Sequence, residues 1–90
     1  MNNETFLQTL EETAKKLSIR LSYEDLRKGE VNTHGGMVSL RGEKRILIHK
    51  GLSTDEKIDV LTEILAALDT EGVHVAPEVR DRITAVKKPA

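Results

Sequence analysis

Phe6, Leu7, Leu10, Ala14 and Leu17 recur at steps of one, three, four and three, which gathers them on one stripe of a helix. The polar positions between them face the other way. Asn2 or Asn3 can cap this helix, Glu4 falls in its first turn, and Lys15 and Lys16 fall in its last, all favourable to the helix dipole. The pattern predicts a helix over residues 3–18. The period then drops to two. Ile19, Leu21 and Tyr23 alternate with Arg20 and Ser22, as in a strand with one buried face.

Residues 27–36 are polar and carry three glycines, so they read as a loop whose tip is the most mobile internal segment. Two short β-type runs follow, 37–40 and 45–49, around Arg41-Gly42-Glu43-Lys44. A glycine in that position supplies the positive φ of a tight hairpin. Ile46-Leu47-Ile48 is apolar at consecutive positions, which predicts a central strand covered on both faces.

Ser53-Thr54-Asp55-Glu56 is a capping box, in which the serine hydroxyl and the glutamate carboxylate each satisfy the other's backbone amide. The helix it opens is predicted to run over 54–70. Its apolar positions are Ile58, Val60, Leu61, Ile64, Leu65, Ala67 and Leu68, with Gly72 as a C-terminal cap. Pro77 opens a last, short helix with a stripe of Val79, Ile83 and Val86. The order is helix, strand, strand, strand, helix, helix. The predicted class is α+β: a three-stranded antiparallel sheet packed by the two longer helices, with a short C-terminal helix. Residues 1–86 form one domain and 87–90 a frayed tail.

Composition narrows the function. Ninety residues support one modest core and rarely a deep pocket. The chain has no cysteine, so neither disulfide nor thiolate chemistry is available, which fits a reducing cytoplasm. The start is neither basic nor apolar enough for a signal peptide, and no run approaches the ~18 apolar residues of a membrane span. A soluble, cytoplasmic protein is expected. Phe6 and Tyr23 are the only aromatics, too few for base stacking.

Net charge is −1, but its distribution is uneven. Residues 37–52 carry Arg41, Lys44, Arg45 and Lys50 against Glu43; residues 53–71 carry six acidic residues against Lys57. The first gives +3 and the second −5. Arg41, Lys44 and Arg45 around the hairpin are candidate phosphate contacts, and a nucleic-acid interface on 41–50 is one reading. Against it stands the acidic overall balance, and basic residues also keep a hairpin soluble.

A second reading is association with protein. The apolar stripe Ile58, Leu61, Ile64, Leu65 and Leu68 is wider than one sheet face needs, so it is a candidate interaction surface for an unknown protein partner or a second copy. Opposite charges on hairpin and helix could pair between subunits. A compact monomer covered by the last helix is the alternative.

His34, His49 and His74 lack the spacing of a metal site. Gly35-Gly36 lacks the lysine and hydroxyl of a phosphate loop and reads as a turn or bulge. No catalytic residue, cofactor or metal ligand is assigned, and a non-enzymatic domain is expected.

The segment 46–68, a strand, a serine-capped turn and a helix with Thr62-Glu63-Ile64-Leu65-Ala66, resembles the core of the HExxH metallopeptidases. Glu63 takes the place of the glutamate. Thr62 and Ala66 stand at the two histidine positions, and neither binds zinc as imidazole does. That resemblance implies a shared shape without the metal chemistry; the plainer reading of Glu63 is a solvated helix residue.

Over most of its length the chain also resembles a family of short, uncharacterised bacterial proteins. The carrying residues are Gly35-Gly36, Leu40-Arg41-Gly42, Ile46-Leu47-Ile48, Leu52-Ser53 with Glu56, and Gly72-Val73 through Ala76-Pro77-Glu78-Val79-Arg80. These are turns, caps and apolar runs. The family implies a single intact domain and no activity, substrate or cofactor.

Overall fold

The computed structural model describes residues 2–26, 35–70 and 72–87. Most of the predicted loop, His34 with it, and the end of the tail lie outside the described residues. The elements are α1 (Asn3–Lys16), β1 (Arg20–Glu24), β2 (Gly35–Leu40), β3 (Glu43–His49), α2 (Thr54–Ala66) and α3 (Pro77–Lys87). This is the α+β order read from the sequence.

Local chemistry sets the boundaries. Asn2 caps α1, its side chain accepting from the Thr5 amide at 2.8 Å. α1 ends in a Schellman motif: the Ser18 amide donates to the Lys15 carbonyl and the Ile19 amide to that of Ala14. Ser18 takes the left-handed conformation there, with φ 61°, at a position where glycine is usual. Both halves of the capping box form at α2, Glu56 N–H to Ser53 Oγ at 3.2 Å and Ser53 N–H to Glu56 Oε1 at 3.1 Å. α2 stops at Ala66, four residues before the predicted end at 70. Ala67 and Leu68 donate three residues back, to Ile64 and Leu65, which tightens the last turn and closes the helix.

The sheet differs from expectation in one respect. Its order is β1-β3-β2, and it is mixed rather than antiparallel. β2 and β3 form the predicted hairpin, turning through Arg41 and Gly42, both at positive φ. β1 runs parallel to β3, with Leu21 beside Ile46 and Tyr23 beside Ile48. Ten residues separate Glu24 from Gly35. That is ample to cross two strand spacings of roughly 4.8 Å each, so no short turn forces β1 and β2 to be neighbours. The apolar β3 takes the centre.

Strand parity gives the sheet two unlike faces. Leu21, Tyr23, Gly35, Met37, Ile46 and Ile48 share the side on which the helices pack. Gly35 is the closest approach. A Cβ there would lie 2.6 Å from the Leu47 carbonyl oxygen and 3.1 Å from a Val60 methyl. The glycine pair read as a turn or bulge therefore begins β2, with Gly35 where a side chain would collide with the β3 backbone and crowd α2. α1 packs on β1, α2 on β2 and β3, and α3 on α1 and α2 away from the sheet. Leu10, Ala14, Ile46, Ile48, Leu61, Leu65 and Val79 close the core between these layers. The opposite face carries Arg20, Glu43, Arg45 and Leu47. Leu47 is half-buried there, so only one face of the central strand is covered by helices.

A candidate docking edge

The helix surface proposed from sequence lies inside the molecule. Ile58, Leu61 and Leu65 are buried within the single chain, and Ile64 and Leu68 are half-buried against the same core. α1, α3 and two strands of the sheet divide the wide stripe among them. This corrects the expectation that 54–70 presents its apolar face to a partner. The stripe is wide because α2 has neighbours on three sides.

The basic hairpin is dispersed by the same geometry. Arg45 lies on the open face, its Nη2 3.5 Å from Glu43 Oε2, and Arg20 Nε reaches the other oxygen of that carboxylate at 3.3 Å. Lys44 falls on the opposite side, at a shallow hollow shared with Leu17, Leu68 and Asp69. Arg41 sits in the turn itself. The three cations project differently, and one of them shares a carboxylate with Arg20.

Along α2, Glu63 is exposed while Thr62 and Ala66 are buried. The positions matched to zinc-binding histidines thus point into the core. His49 is buried, its Nδ1 accepting from the Leu26 amide at 3.1 Å and its ring against Gly51. His74 is exposed, and its carbonyl accepts from Lys16 Nζ at 3.2 Å. Among the described residues no group of three or more His, Asp or Glu side chains is placed to hold a metal ion. Arg82 reaches Asp59 at 3.3 Å, the kind of bridge between the last helix and the acidic one that the charge pattern allows. No described helix is long and apolar enough to cross a membrane.

Both edges of the sheet can be compared directly. The β1 edge is flanked by α1, and a groove of about 350 Å³ lies between them, lined by Glu11, Lys15, Ile19, Arg20, Leu21 and Tyr23. Its Glu11, Tyr23 and Arg20 side chains have partners. The Tyr23 hydroxyl donates to Glu11, and Lys57 lies 5.0 Å from the centre of the Tyr23 ring. Burial, reinforced by the Glu11 hydrogen bond and charge, holds the Tyr23 phenol well above its ordinary range. β1 carries a charge at each end, Arg20 and Glu24.

The β2 edge is different in kind. Gly35–Leu40 contains no charged residue and no proline. Among the described elements β2 touches only β3 and α2. Met37 and Val38 are 41% and 45% exposed, one on each face of the strand, and are two of three large apolar side chains exposed to this degree among the described residues. Edge strands in monomeric proteins are commonly protected by lysine, proline, a bulge or brevity. β2 has six residues and, within the strand, none of the first three devices. The signal is present in the sequence as the uncharged run 35–40, of which 37–40 reads as a β-type run and Gly35-Gly36 as a turn or bulge. Its position at an edge depends on β1 choosing β3. No family model, curated protein or solved structure matches the chain.

Proposed function

We propose that this chain is a non-catalytic protein-association domain of the cytoplasm, and that it docks an extended segment along residues 36–40 on the outer side of β2. The observation that carries the reading is the uncharged strand with Met37 and Val38 exposed on its two sides, beside which no described element other than β3 and α2 packs. A strand added there receives main-chain hydrogen bonds from β2 and apolar contacts on alternate residues, the mode of β-augmentation. The rest of the molecule supports it as a scaffold. The helices brace one face of the sheet and hold β2 against α2 through Gly35. The cysteine-free composition fits a reducing cytoplasm.

A photo-crosslinking amino acid at Ser39 tests this in the cells that make the protein. Discrete protein adducts are expected at Ser39, absent from the same probe at Thr84 on α3, and abolished by Val38→Lys. No adduct at Ser39, or adducts indifferent to Val38→Lys, would refute the reading.

A further inference from the structure

The groove between α1 and β1, at the other side of the sheet, has two chemically distinct ends. We propose that it is a binding site for a small monocarboxylate with an apolar chain, held by side chains alone: the carboxylate at Lys15 and the chain along Ile19, Leu21 and the Tyr23 ring.

The path of the chain creates the two ends. α1 turns into β1 at Ser18, so the two elements run back alongside each other. Glu11 is thereby set at Tyr23, whose hydroxyl donates to it. Lys15, one helical turn further on, stands toward Ile19 and Arg20 at the start of β1. Ile19, buried, and Leu21, half-buried, make the apolar floor between these ends. The volume of about 350 Å³ falls within the roughly 300–1,000 Å³ of small-molecule sites, which join an apolar lining to a few polar groups that fix orientation.

The charges orient the ligand and set its class. At the Tyr23 end the phenol proton is committed to Glu11, and the Glu11 carboxylate repels a second anion, so that end takes an apolar group against the ring. At the other end Arg20 shares Glu43 at 3.3 Å. Lys15 has no hydrogen bond or ion pair among the described residues, whereas its neighbour Lys16 donates to the His74 carbonyl. The α1 carbonyls of Ala14 and Lys15 already accept from the Ile19 and Ser18 amides, so they do not confront an anion as open acceptors. One unpaired ammonium beside a guanidinium already shared with a carboxylate matches a single negative charge rather than a dianion.

Titration of the purified full chain with octanoate tests this, followed by the fluorescence of its sole tyrosine and by the methyl resonances of Ile19 and Leu21. Saturable binding with a Kd of roughly 0.1–1 mM is expected, with the largest shifts at Ile19, Leu21 and Tyr23. Lys15→Glu, at an exposed position, is expected to weaken octanoate by about tenfold and leave the melting curve unchanged. Octylammonium, the same chain with the opposite charge, is expected to bind at least about tenfold more weakly than octanoate. No saturable change up to about 10 mM octanoate would overturn the inference. So would shifts centred elsewhere on the molecule, octylammonium binding as tightly as octanoate, or a Lys15→Glu variant with the parent's affinity.

Discussion

Three helical threonines offer a controlled test of what is buried in this core. Thr9 and Thr13 donate their hydroxyls to the carbonyls four residues back, Thr5 and Thr9, each at 2.9 Å. Thr62, in the middle of α2, is 1% exposed and its Oγ1 has no hydrogen-bond partner among the described residues. An unpartnered buried hydroxyl carries a desolvation penalty of about 1–3 kcal/mol. Thr62→Val keeps the branched shape, has nearly the same helix propensity, and replaces the hydroxyl by a methyl that gains from burial. The variant should be about 1–2 kcal/mol more stable, a rise in Tm of roughly 5–15 °C for a domain of this size. In urea the midpoint should rise with no change in slope. Thr13→Val is the control: it loses a made hydrogen bond and gains a methyl, and should stay within about 0.5 kcal/mol of the parent. If Thr62→Val is no more stable than Thr13→Val, the hydroxyl is satisfied in solution and the reasoning is wrong.

Other positions give sharper local tests. Gly35→Ala should destabilise by about 1–3 kcal/mol, because its Cβ meets the Leu47 carbonyl and Val60, whereas Gly36→Ala has open space and should change stability by less than about 0.5 kcal/mol; chemical denaturation of the pair checks this. At Ser18, held at φ 61°, glycine should stabilise by about 0.5 kcal/mol and valine destabilise by about 1, read as opposite shifts in Tm. Tyr23 is the sole tyrosine, so its phenolate absorbance reports one group. Its folded pKa is raised, chiefly by burial and then by Glu11, so the stability it lends is full below the ordinary value of about 10 and is lost as pH rises beyond it. Ionisation should therefore accompany alkaline unfolding, and a phenolate signal near pH 10 with the fold intact would contradict the half-buried placement against Glu11.

What the sequence disclosed and what it withheld divide along the range of the interactions. The caps at Asn2 and Ser53, the hairpin turn at Gly42 and the helical stripes are set by neighbours a few residues apart, and all appear in the structure. The end of α2 was placed too late because Leu68 continues the apolar spacing while the backbone has already tightened into three-residue bonds. Strand pairing is non-local. A ten-residue connection leaves β1 free to join either side of the hairpin, and no periodicity encodes that choice. The candidate surface moved for the same reason. The residues of α2 looked exposed only because their three partners, on α1, α3 and the sheet, are distant in sequence. Met37 and Val38 looked like ordinary strand residues because nothing in 35–40 says which strand lies beside it.

The most direct measurement of the central claim is amide hydrogen exchange on the isotope-labelled protein, compared between dilute buffer and an extract of the cells that make it. β2 is claimed to be an edge that another strand covers, whether from a second copy or from another protein. The outward-pointing amides within residues 36–40 should exchange much more slowly in the extract, while those on the outer edge of β1 should not change. Equal exchange of the β2 amides in both conditions would contradict the account.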